Sequence, residues 1–357
     1  MCLTMRDYLG KAFPTFAQHV QKCSFASLPT PVSHHAIDFS SGKHKVAVKH
    51  DEQTSPIYGG NKIRKLEYFF QRAQDRGARR VATFGTVGSN HALATAIHAK
   101  AFGLECTCFL AHQPHTPTIS ATLDKHLELG TEVILWGGGD RLELYRKYLQ
   151  NRKTWVIPLG GSCWLGAVGF VNAGLELAAQ IEAGELATPD RIYIANGTMG
   201  SVAGLGLGLA FANLTTEIHA VRVANKQFCT PCGLERLIRK TATLMNRMDN
   251  SVPVDAVDRV NVVWRDEFFA NAYAAVDDAT TSAVDFAKEN LRLKLDTTYT
   301  GKAMAALLHD LEEPNAEHSS LFWNTYNSKP LTLSADQSRS RPDLPEQFQR
   351  YYQGADL

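Results

Sequence analysis

The sequence predicts an α/β protein with two units, each built on a mostly parallel sheet. Short apolar runs alternate with helical patterns over most of the 357 residues, as is typical of parallel strands covered by helices on both faces. Two such series, before and after about residue 165, predict two three-layer α/β/α domains. The predicted strands are 45–50, 80–84, 105–111, 132–136, 155–159, 191–196, 218–223, 260–264 and 320–325, with a helix over 168–184.

Composition and charge exclude several classes of partner. The chain is 44% hydrophobic and 20% charged, as in ordinary globular proteins. A formal net charge of +1 gives no field that would attract nucleic acid or an anionic membrane. We expect no apolar run of membrane-spanning length and no signal peptide. The sequence therefore predicts a cytoplasmic protein with neither nucleic acid nor membrane as partner.

The cysteines predict free thiols and no metal. There are seven, an odd number without a regular framework, which fits a reducing compartment. Cys106 and Cys108 share one face of a predicted strand, and Cys229 and Cys232 form a lone C-x-x-C. A structural zinc site needs a second ligand pair at matching spacing, and the sequence has none. We expect buried free thiols in both pairs.

Ligands of open parallel sheets bind beyond the carboxyl ends of the strands, so the loops there are the first candidates for a site. In one of them Ser89, Asn90 and His91 open a helix after a strand. Ser and Asn are good N-cap residues. Free N–H groups at a helix start, with a hydroxyl and an amide, also bind a carboxylate. Both interpretations stay open at this point.

A second loop follows the strand 191–196 and has the composition of a phosphate site. Its turn consists of Gly197, Thr198, Met199, Gly200 and Ser201. The N–H and hydroxyl groups of such a turn can hold a single phosphate. There is no Walker A motif, and a dinucleotide fingerprint fits poorly because the glycines 204, 206 and 208 lie inside the helix. Those three glycines predict close packing of the helix on the sheet.

The third loop carries Tyr299 and Thr300 before a glycine and a helix, where Thr300 could be only an N-cap. Elsewhere, Gly59, Gly60 and Asn61 precede Lys62 at the start of a helix. A glycine pair costs backbone entropy and predicts a close backbone approach, so Lys62 would be held still. The alternative is an exposed lysine at a helix start.

Two residues close to Lys62, namely Arg64 and Lys65, are better candidates for an exposed charge at the start of this helix than Lys62 itself. A fixed lysine, a phosphate turn and a carboxylate site together indicate pyridoxal 5′-phosphate, which has an aldehyde and a phosphate and acts on amino acids.

The sequence resembles the family of pyridoxal-phosphate enzymes that contains D-cysteine desulfhydrase and 1-aminocyclopropane-1-carboxylate (ACC) deaminase. The resemblance runs from about residue 28 to residue 328, and "GGNKIRKLEYFF" is its most specific block. "GSNHALATAIHAKAFGL", "GGSCWLGAVGFVNAGLELAAQ" and "LDTTYTGKAM" also look like family signatures. This resemblance implies the fold of the tryptophan synthase β-subunit class, fold type II, with the cofactor between two α/β domains. It also implies a homodimer.

The resemblance implies two domains and a role for each candidate residue. The large domain would comprise residues 1–64 and 170–327, the small one 65–169, with a polar, poorly ordered tail from 328 to 357. The expected catalytic residues are Lys62 (the Schiff-base lysine), Ser89, Tyr273 and Tyr299. The expected cofactor contacts are Lys62, Asn90, Gly197, Thr198, Met199, Gly200, Ser201, Tyr299 and Thr325, the last facing the pyridine nitrogen. Ser89, Asn90 and His91 would bind the substrate carboxylate.

Three departures from the family pattern concern the pocket. Met199 stands where we expect glycine, Tyr273 lies in "ANAYAA" without neighbouring glycines, and the last strand ends "WNTYNS". Thr300 stands where the deaminase branch has glutamate, and His91 where it has glutamine. A hydroxyl such as Thr325 at the pyridine nitrogen leaves the ring largely neutral, which suits β-elimination.

We therefore expect elimination from a small amino acid such as D-cysteine, giving pyruvate, sulfide and ammonia. ACC ring opening, elimination from cysteate, a chlorinated alanine or serine, and a pyridoxal-phosphate-binding protein without turnover are alternatives. An NAD-linked oxidoreductase is a further alternative from another class.

Overall fold

The structure, a computed structural model, describes residues 7–39, 42–137, 147–148, 150–313, 318–327, 329–333 and 344–352. The chain forms two compact units, residues 1–68 with 162–328, and residues 69–161 with 329–357. These borders lie four and eight residues from the predicted 64/65 and 169/170, and residues 329–357 belong to the second unit.

The first unit is built on a six-stranded sheet of β1 (Val32–Phe39), β2 (Gly42–Lys49), β7 (Arg191–Asn196), β8 (Glu217–Arg222), β9 (Val262–Arg265) and β10 (Ser320–Trp323). The strand order is β1-β2-β10-β7-β8-β9. Only the β1–β2 pair among these described strands is antiparallel. The second unit has a four-stranded parallel sheet of β3 (Arg80–Thr86), β4 (Glu105–Ala111), β5 (Glu132–Leu135) and β6 (Thr154–Val156), in the order β5-β4-β3-β6. The predicted α/β class with mostly parallel sheets is confirmed.

The helices of the described residues alternate with these strands. They are α1 (Tyr8–Ala12), α2 (Pro14–His19), α3 (Lys62–Asp75), α4 (Asn90–Ala101), α5 (Ile119–Leu129), α6 (Trp164–Glu182), α7 (Gly200–Phe211), α8 (Pro231–Met248), α9 (Asp278–Asn290) and α10 (Thr300–Glu312). In the first unit Val48, Tyr193 and Phe322 of the sheet pack with Met304 and Leu307 of α10 in one buried cluster. In the second unit Ala82 and Phe109 form the centre of a smaller cluster.

Several predicted elements need correction. β1 was not predicted, because most of its residues are exposed or half-buried and its two histidines break the apolar pattern. The strand predicted at 155–159 ends at Val156, and a 3-10 turn at Leu159–Gly161 follows Pro158, which cannot continue a ladder. The last strand ends at Trp323 instead of residue 325, and the helix predicted at 168–184 begins at Trp164.

Helix α6 also corrects the expectation about membrane-length segments. It has 19 residues, and an 18-residue window of it has a mean hydropathy of 1.2, so by length and composition alone it could cross a membrane. However, 72% of that window is buried inside the protein, as in the core helix of a globular unit. Part of this burial is against α7, where a Cβ on Gly204 would lie 2.0 Å from the Ala167 oxygen. Gly208 meets the Val171 oxygen in the same way, so these two glycines serve helix-on-helix packing. A Cβ on Gly206 would lie 2.6 Å from Val260 Cγ1, just before β9, and 3.6 Å from Ile218 Cδ1 in the sheet.

A buried ion cluster joins α3, α6 and the end of β2 in the first unit. Arg64 donates to both carboxylate oxygens of Asp51 and of Glu176, and Lys49 donates to Glu176 at 2.6 Å. All four charged side chains are at most 1% exposed. The expectation that Arg64 is a solvated charge is therefore wrong. Burial alone would raise the pKa of Glu176, but Arg64 and Lys49 overcome it and lower that pKa to about 2.

The ion cluster predicts a pH-dependent loss of stability. Because the pKa of Glu176 is lower in the folded protein than its usual 4.5, its contribution is complete above pH 4.5 and is lost as the pH falls toward 2. Glu176→Gln should lower the free energy of unfolding at pH 7 by about 3–5 kcal/mol, since it leaves buried cations uncompensated. Urea unfolding at pH 7, with the exposed Glu182→Gln on the same helix as control, measures this change.

The variant should also lose less stability than the wild-type protein between pH 4.5 and pH 2, because it lacks the titrating carboxylate. Equal stability of Glu176→Gln and Glu182→Gln at pH 7 would contradict a stabilising role of the cluster.

Candidate active site

The two glycines before Lys62 are required by close backbone contacts. A Cβ on Gly59 would lie 1.9 Å from the carbonyl oxygen of Glu52, so no other residue fits there without moving the backbone. Gly60 has φ +98°, and a Cβ there would lie 3.0 Å from the Thr325 oxygen. Asn61 N–H donates to that same oxygen at 3.1 Å. The turn is thus packed between the segment after β2 and the end of β10, and α3 begins at Lys62.

Lys62 is half-buried in the first unit and has an altered acidity. Burial lowers the pKa of its ammonium group to about 8, although the charge of Asp296 acts in the opposite direction. A larger fraction of this amine is therefore neutral at pH 7–8 than for an ordinary lysine. Neutral amines are the nucleophilic form, so Lys62 is suited to attack an aldehyde.

The turn Gly197–Ser201 connects β7 to α7 and has an unusual backbone. Met199 is the N-cap of α7 in the left-handed region, with φ 68° and ψ −20°, and its side chain makes no capping hydrogen bond. Left-handed conformations cost a non-glycine residue about 1–2 kcal/mol. The Met199 side chain lies against Gly233 on α8, where a Cβ would come within 3.1 Å of its methyl carbon. Gly233 thus makes room for the methionine that replaces the expected glycine.

Polar groups from several segments of the first unit surround this turn. Ser162 Oγ lies 2.6 Å from Thr198 Oγ1 and accepts from Gly200 N–H at 3.2 Å. Asn61 Nδ2 donates to Ser201 Oγ at 3.1 Å, which ties the turn to the residue before Lys62. A Cβ on Gly200 would lie 3.0 Å from Lys65 Nζ.

Lys65 is only 1% exposed, so its predicted exposed position is wrong. Burial lowers the pKa of Lys65 well below its usual value, and the Lys62 charge lowers it further. An anion at the turn would compensate this ammonium group.

A phosphate group fits this arrangement on a second ground. Asn196, the last residue of β7, is 1% exposed, and neither Nδ2 nor Oδ1 has a hydrogen-bond partner among the described residues. An unsatisfied buried amide costs about 1–3 kcal/mol, and a polar ligand next to the turn would offset that cost. Gly197 lies next to the Tyr299 ring, since a Cβ there would be 3.6 Å from Tyr299 Cε1, an ordinary contact distance. The phosphate of pyridoxal phosphate therefore matches the groups present.

Two tyrosines of the first unit form a pair on one side of this turn. Tyr273 and Tyr299 share a hydrogen bond of 2.5 Å between their hydroxyl oxygens. Burial raises the pKa of Tyr299 well above its usual value, with further contributions from Tyr273 and Asp296. Tyr299 is the N-cap of α10, and Asp296 accepts from the N–H groups of Tyr299 and Thr300 and from the Thr300 hydroxyl. Thr300 is therefore the first residue of α10 and is capped by Asp296.

The segment that carries Tyr273 keeps a glycine-like backbone without glycine. Ala270, Asn271 and Ala274 have φ of 56°, 64° and 62°. These are left-handed conformations, which glycine adopts freely, asparagine tolerates and alanine disfavours. The departure "ANAYAA" therefore changes the side chains but keeps left-handed conformations on both sides of Tyr273.

In the second unit, Ser89, Asn90 and His91 lie at the start of α4, as predicted. Ser89 is the N-cap, with its Oγ accepting from Ala92 N–H at 3.2 Å. His91 Nε2 lies 2.9 Å from Thr83 Oγ1, and the Thr83 hydroxyl donates to the Ile157 oxygen at 3.1 Å. Because that hydroxyl has one proton, His91 Nε2 carries the hydrogen and donates to Thr83. The ring is thus fixed in orientation at the helix start.

Cys106, Cys108 and the possible metal ligands lie outside the turns described above, whereas Cys229 Sγ donates to the Asn196 oxygen at 3.2 Å. Cys106 and Cys108 are buried with their sulfurs 3.7 Å apart, and Cys229 is buried, whereas Cys232 is exposed, contrary to the prediction. Among the described residues, His309, Asp310 and Glu313 bring three possible metal ligands together. Asp310 already accepts two hydrogen bonds from Arg265 and one from Tyr193, which commits it to an ion pair.

The first unit thus brings together most of the predicted residues: Lys62, Gly197–Ser201, Tyr273, Tyr299 and the Thr325 backbone. Sequence reasoning missed Lys65, Ser162, Asp296 and Asn196. The spacing of Lys62 and Lys65 could have indicated Lys65, because residues three apart share a helix face. Ser162 lies in the block "GGSCWLG", which was assigned to the family signature but not to a role.

Comparisons with known proteins agree with this geometry. The family model "Pyridoxal-phosphate dependent enzyme" matches residues 24–325. D-cysteine desulfhydrase of Salmonella paratyphi B is 30% identical over 298 residues, covering 79% of this chain and 86% of the relative. Nocardicin C-9′ epimerase of Nocardia uniformis subsp. tsuyamanensis is 30% identical over 314 residues, covering 85% and 92%.

A solved structure described as an ACC deaminase homologue superposes with a TM-score of 0.69 at 25% identity, covering 87% of this chain and 93% of the other. The expected cofactor and fold type II are thereby confirmed. The chain belongs to the family of pyridoxal-phosphate dependent enzymes.

Proposed function

We propose that the protein is a lyase that removes the β-substituent of a small amino acid, with D-cysteine as substrate and pyruvate, sulfide and ammonia as products. The observation that carries this choice is Thr300. It stands where the ACC deaminase branch is expected to have a glutamate after the tyrosine, and its hydroxyl donates to Asp296 at 3.0 Å. The similarity to D-cysteine desulfhydrases supports the same choice.

The proposed cofactor site lies in the first unit. Lys62 would hold the aldehyde carbon, and the turn Gly197–Ser201 with Lys65 and Ser162 would hold the phosphate. Tyr299 would lie against the ring, and Thr325 would face the pyridine nitrogen. Bound pyridoxal phosphate supplies an electron sink that acidifies the proton on the substrate Cα.

The remaining steps fall to the protein's own residues. Ser89, Asn90 and His91 would hold the substrate carboxylate, with Asn90 also contacting the cofactor ring. Lys62 Nζ would be freed when the substrate amine takes its place. It would then take the proton from Cα, a role that its lowered pKa favours. The hydrogen-bonded Tyr273–Tyr299 pair can relay a proton toward a departing sulfur. The overall balance consumes one water and releases sulfide, ammonia and pyruvate.

ACC ring opening is the second candidate, because the solved structure at 25% identity is described as an ACC deaminase homologue. It would give 2-oxobutyrate and ammonia. The family resemblance also supports a homodimer, and the buried free thiols support a reducing, cytoplasmic location.

The test of the proposed function is a product screen of the holoenzyme with D-cysteine, L-cysteine, ACC, cysteate and D-serine. We expect pyruvate and sulfide from D-cysteine at the highest kcat/KM. Lys62→Ala should lower kcat about a hundredfold or more, since it removes the base. Borohydride reduction should add the cofactor mass to the peptide of residue 62 in the wild-type protein only.

Three results would contradict the proposal. 2-Oxobutyrate from ACC in place of pyruvate would favour the second candidate. Deuterium exchange at Cα without any keto acid would indicate an epimerase. Bound cofactor without turnover of any of the five amino acids would indicate a cofactor-binding protein.

The acidity of Lys62 predicts a pH dependence for cofactor loading. The amine is nucleophilic only when neutral, so the rate at which apoprotein binds pyridoxal phosphate should rise with pH through a midpoint near 8. Asp296→Asn should move the midpoint to lower pH, because the aspartate charge raises the Lys62 pKa, while asparagine keeps the helix cap. The exposed Asp285→Asn is the control, and stopped-flow absorbance gives the rate. An unchanged midpoint in Asp296→Asn would refute the proposed coupling.

Lys65 predicts a difference between two forms of the cofactor. Lys65→Met should weaken binding of pyridoxal phosphate about 10- to 100-fold, since hydrogen bonds to charged groups contribute about 1.5–3 kcal/mol. Binding of pyridoxal, which lacks the phosphate, should change little. Absorbance titration of the apoprotein with both compounds measures this, and the exposed Lys240→Met is the control. Equal weakening for both compounds would place the lysine away from the phosphate.

A further inference from the structure

The C-terminal segment packs on the second unit beyond the part of the chain that matches the family. Family similarity ends at residue 325, whereas residues 346–352 form a 3-10 helix. Leu344, Phe348 and Tyr351 are at most 4% exposed, and the Tyr352 hydroxyl donates to Asp124 on α5 at 2.8 Å. The expectation of an unordered tail therefore does not hold for residues 344–352. Three buried apolar or aromatic side chains and a side-chain hydrogen bond indicate that this segment packs at a defined place on the second unit.

The Tyr351 hydroxyl is the most connected polar group of this segment. It accepts from Gln113 N–H at 3.2 Å, donates to the Gln113 carbonyl oxygen at 3.1 Å, and lies 3.0 Å from His112 Nδ1. Its single proton goes to the Gln113 oxygen, so His112 Nδ1 carries a hydrogen and donates to the hydroxyl. All three contacts are then satisfied together. Tyr351 thereby fixes the backbone of residues 112–113, the loop that follows β4.

Gln113 transmits this constraint to the loop that follows β3. Its side-chain oxygen accepts from Gly88 N–H at 3.3 Å, and it is 8% exposed. A Cβ on Gly88 would lie 2.8 Å from Gln113 Nε2, so the amide packs directly on the glycine backbone. Val87 N–H also donates to the Ala111 oxygen at 3.0 Å. Gly88 directly precedes Ser89, the N-cap of the helix that begins with Asn90 and His91.

We propose that Tyr351 is a positioning residue that sets the affinity for the substrate carboxylate, acting through Gln113 on the loop 88–91. This inference rests on the proposed role of Ser89, Asn90 and His91. The C-terminal segment of this chain thus helps to fix the conformation of a loop that lies within the family-matched region. The Tyr352 hydroxyl donates to Asp124 on α5, so Tyr352→Phe removes a hydroxyl from the same segment and serves as the matched control.

The test uses the holoenzyme and three variants, Tyr351→Phe, Gln113→Met and Tyr352→Phe. Amide hydrogen exchange of the peptide containing residues 86–91 reports on the loop without any ligand. D-Alanine, which has the carboxylate but no leaving group, is titrated by the absorbance of the bound cofactor, and D-alaninol, which lacks the carboxylate, is titrated in parallel. kcat and KM for D-cysteine complete the set.

Tyr351→Phe and Gln113→Met should each speed exchange in the loop, weaken D-alanine binding about fivefold, the size of one lost hydrogen bond, and leave D-alaninol binding unchanged. KM should rise by a similar factor with kcat within about twofold, and the double variant should show no additional loss because the two residues act in series. Tyr352→Phe should match the wild-type protein in every measurement.

The outcomes separate this inference from the proposed function. If the wild-type protein binds D-alanine and both Tyr351→Phe and Gln113→Met bind it equally well, the inference is wrong and the proposed function stands. If the wild-type protein neither binds D-alanine nor converts D-cysteine, the proposed function fails, and the exchange rates alone decide whether Tyr351 positions the loop. Faster loop exchange in Tyr352→Phe equal to that in Tyr351→Phe would show a general loosening of the segment and overturn the proposal.

Discussion

The close approach of Gly59 to the Glu52 carbonyl oxygen is the constraint on which the rest of the first unit's site depends. Only a glycine fits a position where a Cβ would lie 1.9 Å from that oxygen. Because the backbone can lie there, Asn61 reaches both the Thr325 oxygen and Ser201 Oγ. One turn therefore joins the segment after β10, the turn Gly197–Ser201 and the helix that starts at Lys62. A lysine that reacts with one carbon atom of a bound ligand needs a rigid backbone, because its amine must stay at the correct position and orientation.

The same helix start separates its three cations by their partners. Arg64 faces two carboxylates, which overcome burial and raise its pKa above the usual value. Lys62 and Lys65, one turn apart, face less negative charge, and burial lowers the pKa of both. A buried ammonium group is costly unless it is neutralised or paired. Burial therefore makes both amines easier to deprotonate than an ordinary lysine, and an anion close to Lys65 would raise its pKa again.

Sequence reasoning predicted the class of fold and the residues whose chemistry shows in a local motif. The strands of the sheets and the glycine turn before Lys62 carry periodic or positional signals that survive in a single sequence. Lys65, Asp296 and the edge strand β1 did not, for different reasons. Burial of Lys65 depends on the distant residues 162 and 200, and Asp296 acts by capping a helix across four residues. Strand β1 lacks a clear alternation of apolar and polar residues, because most of its side chains are exposed or half-buried. The contact between Tyr351 and Gln113 joins residues 238 positions apart in the chain, which no local pattern indicates.

The departures from the family pattern preserve backbone conformation while they change side chains. Met199, Ala270, Asn271 and Ala274 all have positive φ, which costs about 1–2 kcal/mol for methionine or alanine and less for asparagine. Such strain persists only where the surroundings over-determine the backbone. Gly233 receives the Met199 side chain, and buried Lys302 donates to the Phe269 oxygen at 2.7 Å beside the Tyr273 segment. The backbone at these positions keeps the left-handed conformation that glycines would give, and the Met199 side chain is accommodated by packing on Gly233.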